Sequence, residues 1–144
     1  MLASATLVAF TLSLGGRLLA ENFLTTRIPI IGDFTGLSPV ANSGIAFGIT
    51  FTSPLLTILV GAALLLVCVL AWKSRRERIP ALSFGLILGG GLANIVDRIG
   101  DGLVTDFFQI GSFPVFNVAD SCITIGVGIL LSWELLRKHR ANFQ

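Results

Sequence analysis

The sequence predicts an all-α membrane protein: four transmembrane helices with a small extracytoplasmic β-like platform, both termini cytoplasmic. Three observations predict it. The 144 residues are 53% hydrophobic and only 12% charged, with a mean hydropathy of +0.88, whereas soluble domains carry about 25% charged residues. Apolar runs near the ~20 residues that a spanning helix needs recur along the chain. Seven of the ten basic residues fall into two clusters, and clustered Lys and Arg mark the cytoplasmic ends of spans. The chain, residues 1–144, reads as a single integral membrane domain.

The first span covers about residues 2–20. It lacks the basic n-region and small-x-small cleavage site of a secretory signal, so a retained helix is expected. An outer segment follows, "RIPIIGDFTGLSPVANSGIAFGIT", in which short β-prone pieces are broken by Gly, Pro, Ser and Asn. It is expected to form a platform at the membrane surface. The second span, about residues 54–72, contains no charge. "WKSRRER" then supplies Lys73, Arg75, Arg76 and Arg78, the first basic cluster. The third span covers about residues 80–97, and its "LGGGLA" stretch (Leu88 to Ala93) can pack closely against other helices of this chain. A short outer loop with the turn "GDG" leads to the fourth span. Only thirteen uncharged residues, Ser121 to Trp133, are available there. That is too short, so the span must extend outward through Asp120 to Asn117, giving about residues 117–136. Pro114 can set the turn before it. The tail holds Arg137, Lys138 and Arg140, the second cluster. With both clusters inside, Glu21–Ser53 and Arg98–Phe116 face out.

Several functions are excluded at this point. A net charge of +2 is too small to suggest nucleic acid. Cys68 and Cys122 lie in apolar runs and form no CxxC pair, and His139 in the tail is the one histidine. Zinc and redox motifs are thereby excluded; both cysteines read as small buried apolar residues. No cofactor or metal is expected.

Six of the eight acids fall on the outer side: Glu21, Asp33, Asp97, Asp101, Asp106 and Asp120. At about 1.5 Å of rise per residue, Asn94 lies roughly 24 Å above Arg78, Asp97 about 28 Å, and Asp120 roughly 25 Å out from Arg137. Against a hydrocarbon core of about 30 Å, these groups lie just beneath or at the outer surface. Asn94, Asp97 and Arg98 share a helical face, and Arg98 is a charge partner available to Asp97. Asp106 sits in the outer loop between apolar neighbours in "LVTDFF", fourteen residues before Asp120. The two carboxylates can therefore meet at one depth. Ser–Lys and Ser–His catalysis are excluded by position, since Lys73, Lys138 and His139 are all cytoplasmic. What remains is a carboxylate pair, which in low dielectric shares one proton. One member can act as general base on water while the other polarises a carbonyl. Embedded acids also serve as ion or proton sites. A non-enzymatic multi-pass protein, such as a transporter subunit or a helix-pairing scaffold, is the alternative. The acids stop at the outer third, which favours the enzyme.

Three blocks, in order, resemble the lipoprotein signal peptidases, the type II aspartic signal peptidases of bacteria. "NSGIAF" is similar to the family's N-x-G-x-A-F. "GGGLANIVDRIGDGLVTDFF" is similar to its G-x-x-x-N-x-x-D-R followed by V-x-D-F. "FPVFNVADSCITIG" is similar to its F-N-x-A-D-S. The resemblance implies that Asp106 and Asp120 are a catalytic dyad, and that Asn42, Gly44, Asn94, Asp97, Arg98 and Asn117 line and support the site. It implies an endopeptidase of the bacterial cytoplasmic (inner) membrane that cuts prolipoproteins just before a diacylglyceryl-modified cysteine, without metal or cofactor. The active site would lie near the outer face. The expected partners are that substrate and membrane lipid, with no nucleic acid, and a monomer is expected. The family commonly has an aspartate and a lysine near the outer part of its first helix. Here "SLGGRLLAEN" offers Arg17 and Glu21, and no residue of the first span is assigned a catalytic part.

Overall fold

A computed structural model describes residues 1–44 and 53–141 of the chain. The elements are α1 (Leu2–Phe23), β1 (Ile28–Ile31), β2 (Thr35–Asn42), α2 (Ser53–Ser74), α3 (Arg78–Asp101), β3 (Val104–Ile110) and α4 (Val118–Ala141). The molecule is thus mostly helical, with one three-stranded antiparallel sheet of order β1-β2-β3. Helices α1, α3 and α4 are long and apolar enough to cross a membrane, and α2 contributes a shorter apolar stretch, Ile58–Ser74.

Helix α3 is the axle. In its most apolar stretch 61% of residues are buried, against 17% in α1 and in α4. Its glycines explain how it can touch three helices at once. A Cβ on Gly89 would lie 2.5 Å from the Thr6 carbonyl of α1, one on Gly90 2.5 Å from the Ala119 carbonyl of α4, and one on Gly91 2.5 Å from Leu64 Cδ2 of α2. Successive helical residues point about 100° apart, so each of these glycines faces a different neighbour. Without side chains in the way, backbones approach closely, which is how helices associate where no water drives them together. The "LGGGLA" stretch therefore packs within the chain. The apolar stripe Val60, Leu64, Val67 and Ala71 of α2 meets Phe84, Ile87 and Leu88 of α3. Cys68 lies outside that stripe and is exposed, and Cys122 is only half-buried, which corrects the expectation that both are buried. Leu7, Leu12, Leu19, Leu65, Leu66, Leu131 and Leu135 are exposed on the helix surfaces, as lipid-facing residues are.

The segment after α1 supplies β1 and β2, so the expected β-like platform is a true sheet. Gly32, with φ at +50°, makes the turn between β1 and β2. Arg27 braces that turn, its Nε donating to Gln109 Oε1 at 2.7 Å and its Nη2 to the Asp33 carbonyl at 3.0 Å. The sheet is fixed to the helices by a second core, in which Phe107 of β3 meets Ala20 and Leu24 of the α1 end, with Leu37, Phe108 and Val118 around them.

The stretch after α3, expected as a loop, contributes the third strand. Gly102 caps α3 with φ at +81° and gives its N–H to the Arg98 carbonyl at 3.0 Å. Asp101 Oδ1 accepts the Leu103 N–H at 2.9 Å. This tight stop sends the chain straight into β3, where Asp106 pairs with Val40 and Val104 with Asn42. After the turn at Gly111, with φ at +53°, the chain folds back. Phe116 then bonds β3 again, its carbonyl accepting the Phe108 N–H at 2.7 Å. That return places Asn117 and the start of α4 beside Asp106.

Candidate active site

The start of α4 explains its own aspartate. Asn117 is the N-cap: its Oδ1 accepts the Asp120 N–H at 2.9 Å, and Asp120 Oδ2 accepts the Asn117 N–H at 3.2 Å. This is a reciprocal capping box, in which each side chain satisfies a backbone donor that the helix end leaves open. Asp120 Oδ1 accepts a further bond from Asn94 Nδ2 of α3 at 2.9 Å.

Asp106 projects from β3 and is 1% exposed. Both its oxygens are held by amides. Asn117 Nδ2 donates to Oδ1 at 2.8 Å and Asn42 Nδ2 to Oδ2 at 2.8 Å. Asn42 lies two residues beyond Val40, the residue opposite Asp106, so it reaches Asp106 diagonally on the same sheet face. Its own Oδ1 accepts the Gly44 N–H at 2.9 Å, which turns the amide nitrogen toward the carboxyl. Asn94 Oδ1 completes the network by accepting from Asn117 Nδ2 at 3.2 Å. Asn117 thus joins the two carboxylates, by its side chain to Asp106 and by its backbone to Asp120.

Burial pushes the Asp106 carboxyl up to about 6. The Asn42 and Asn117 amides and the Arg98 charge oppose this, while the charge on Asp120 adds to it. The carboxyl can therefore hold a proton close to neutral pH.

The other expected residues fall around this centre. Arg98 Nη2 donates to the Gly44 carbonyl at 2.9 Å and Nη1 reaches the Asn94 carbonyl at 3.4 Å. It braces the strand end that carries Asn42 and is not the partner of Asp97. That partner is Arg17 of α1, whose Nε lies 2.8 Å from Asp97 Oδ1. Helical spacing placed Asp97 and Arg98 on one face, but adjacent residues diverge by about 100°, and a helix from elsewhere in the chain supplies the cation. Asp97 Oδ2 accepts the Thr105 N–H at 2.9 Å, so Asp97 supports β3, and its partners among the described residues are Thr105 and Arg17. Ile45, Ala46 and Phe47, the remainder of the first matching block, lie outside the described residues. Sequence reasoning gave no part to Arg17, Glu21 or Thr105. A signal existed: Arg17 is one of only three basic residues outside the two clusters, with Glu21 at i+4.

Comparisons with known proteins identify the family and the fold. The family described as signal peptidase (SPase) II matches residues 5–136. A lipoprotein signal peptidase of Chlorobium luteolum is 43% identical over 118 residues, covering 72% of this chain and 71% of that one. One from Pelodictyon phaeoclathratiforme is 35% identical over 145 residues, covering 89% and 86%. One from Shouchella clausii is 40% identical over 114 residues, covering 75% and 74%. Two solved structures share the fold, each titled a bacterial membrane enzyme and solved by the in meso method. The first, at 2.3 Å resolution, has a TM-score of 0.85 at 23% identity over 98% of this chain and 90% of that chain. The second, at 1.9 Å resolution, has a TM-score of 0.71 at 23% identity over 92% of each. With its apolar helices, its matched blocks and relatives that cover most of its length, this multi-pass membrane protein belongs to the signal peptidase II family of peptidases.

Proposed function

We propose that the chain is a membrane-embedded aspartic endopeptidase that removes the signal peptide from bacterial prolipoproteins. It cuts before the diacylglyceryl-modified cysteine, and Asp106 and Asp120 are its catalytic dyad. The observation that carries this reading is the single asparagine, Asn117, bonded to both carboxylates at the outer end of α4. Four spans with both termini cytoplasmic follow from the two basic clusters. That orientation puts the dyad near the outer face of the inner membrane, where exported signal peptides are held. The protein works as a monomer.

Asp106, the more buried acid, holds the shared proton, and Asp120 is the base. Asp120 takes a proton from a water whose oxygen attacks the scissile carbonyl carbon. Asp106 gives its proton to the carbonyl oxygen, forming a neutral tetrahedral diol. The amide nitrogen then takes the proton from Asp120 and leaves with the C–N electron pair. Asp106 recovers its proton from the diol hydroxyl, and the dyad returns to its starting state. Asn42 and Asn117 hold the Asp106 carboxyl and Asn94 that of Asp120, and the amide bonds to Asp106 strengthen when it gives up its proton. The substrate's acyl chains fix its depth in the bilayer, so binding energy far from the scissile bond orients it.

The direct test incubates purified protein with a diacylglyceryl-modified prolipoprotein and follows the size of the product on a gel. Cleavage immediately before the modified cysteine is expected. Asp106→Asn and Asp120→Asn should each abolish it, and the double variant should be hardly worse than either, because the pair acts as a unit. Substantial turnover by either single variant would remove the dyad assignment.

A further inference from the structure

Thr105 immediately precedes Asp106 on β3, and two carboxylates grip it. Asp97 Oδ2 accepts its backbone N–H at 2.9 Å, and Glu21 Oε1 accepts its hydroxyl at 3.1 Å. One guanidinium holds both carboxylates. Arg17 Nε donates to Glu21 Oε1 at 2.8 Å, and the same nitrogen lies 2.8 Å from Asp97 Oδ1. Arg17 and Glu21 come from α1, Asp97 from α3 and Thr105 from the sheet. Asp97 is only 6% exposed, and a buried carboxylate left without its cation is strongly destabilising.

The location gives this network a purpose beyond packing. β3 is at the edge of the sheet; on its open side Phe116 bridges Phe108, and beside Thr105 that side has no strand partner among the described residues. Asp97 takes the Thr105 N–H on that open side. Successive side chains of a strand point to opposite faces, so Thr105 is held from behind the face that carries Asp106. Among the described residues the hydrogen bonds of these three side chains lead to Thr105 and to one another, and not to Asp106 or Asp120.

We propose that Arg17, Glu21 and Asp97 form a positioning clasp on Thr105 that sets where Asp106 sits relative to Asp120. The outer end of α1 is thereby a working part of the site that never touches substrate. The inference rests on the assignment of Asp106 and Asp120 as the dyad. It assigns Arg17 to kcat and not to substrate binding, because a misplacement of about 1 Å can cost on the order of 100-fold in rate.

The experiment measures kcat and KM on lipidated prolipoprotein in one detergent for the wild-type chain and its variants, each corrected for its folded fraction. The variants are Arg17→Ala, Arg17→Lys, Thr105→Val and the Arg17→Ala/Thr105→Val double. Arg17→Ala should lower kcat on the order of 100-fold and change KM by less than about 3-fold. Arg17→Lys should restore most of the loss, since an ammonium offers three protons to the same two carboxylates. Thr105→Val, which keeps the N–H bond to Asp97, should lower kcat less. The double variant should be no slower than Arg17→Ala, the mark of a shared link. Wild-type kcat in Arg17→Ala, or a loss accounted for wholly by unfolded protein, overturns the clasp. If Arg17→Ala does not fold, unchanged kcat in folded Thr105→Val overturns it equally. A wild-type chain that does not cut at all overturns the functional reading, and the clasp with it.

Discussion

Asn117 does three things with one side chain and one N–H. It caps α4 through Oδ1, donates to Asp106 through Nδ2, and donates to Asp120 through its backbone. Asn117→Ala keeps only the backbone bond. The lost cap should cost about 0.5–2 kcal/mol of stability, measurable by thermal unfolding in detergent, and Asp106 loses one of its two donors. The raised carboxyl of Asp106 gives a second, independent expectation. Its folded value is about 6 and its unfolded value near 3.9, so the folded state binds the proton more tightly. The stabilisation this proton provides is fully present below about pH 4 and is lost as pH rises through about 6, on the order of 2–3 kcal/mol. Asp106→Asn should remove that dependence. Its unfolding temperature should therefore gain on the wild type between pH 4 and pH 7.5; equal pH slopes in the two proteins would mean that Asp106 titrates normally. The candidate acids and amides were legible because short blocks of sequence carry them. The part played by Arg17 was not, because its partner Asp97, and Thr105 that bonds its neighbour Glu21, are some eighty residues away along the chain, and only tertiary packing joins them.

At the scale of elements, the glycines of α3 separate stability from geometry. Gly89→Ala would drive a methyl against the Thr6 carbonyl, and Gly90→Ala against the Ala119 carbonyl, each at 2.5 Å. Overpacking of this kind costs about 1–3 kcal/mol, so unfolding in detergent should show similar losses for both. Ala119 directly precedes Asp120. Gly90→Ala should therefore also lower kcat in the folded fraction, while Gly89→Ala should leave it within about 3-fold. Equal kcat losses would show that α3 transmits packing strain without direction. The four helices were readable from hydropathy and the turn after α3 from "GDG". β3 was not: "LVTDFFQI" carries β-prone residues, but its partner β2 lies more than sixty residues earlier. A pairing across that distance leaves no local pattern. A short connection between two spans needs no strand to be satisfied, so a loop is what the local sequence predicts there.

The whole molecule makes its own expectations. In a background lacking Cys68 and Cys122, Asp33→Cys at the sheet turn should react with a membrane-impermeant thiol reagent on intact cells. Ser74→Cys, beside the first basic cluster, should not. The reverse pattern would put the dyad on the cytoplasmic side, where no exported signal peptide awaits cutting. The apolar helices were legible from hydropathy; the sheet's attachment to α1 and α4 was not, since Phe107, Ala20, Leu24 and Val118 carry no common motif. The order of the strands has a consequence for biogenesis. Asn42 belongs to the first outer segment and Asp106 to the second, so a ribosome must complete α3 before the two can meet. Until then β2 is a strand with one bare edge, and Thr105 has yet to meet Asp97 and Glu21. A nascent chain arrested after α2 holds Asn42 but neither acid, and one arrested after β3 holds Asp106 but not Asp120. With Asp106 and Asp120 as the proposed dyad, the chain is therefore born inert: proteolytic competence would arrive only when α4 docks and brings Asn117 to both acids.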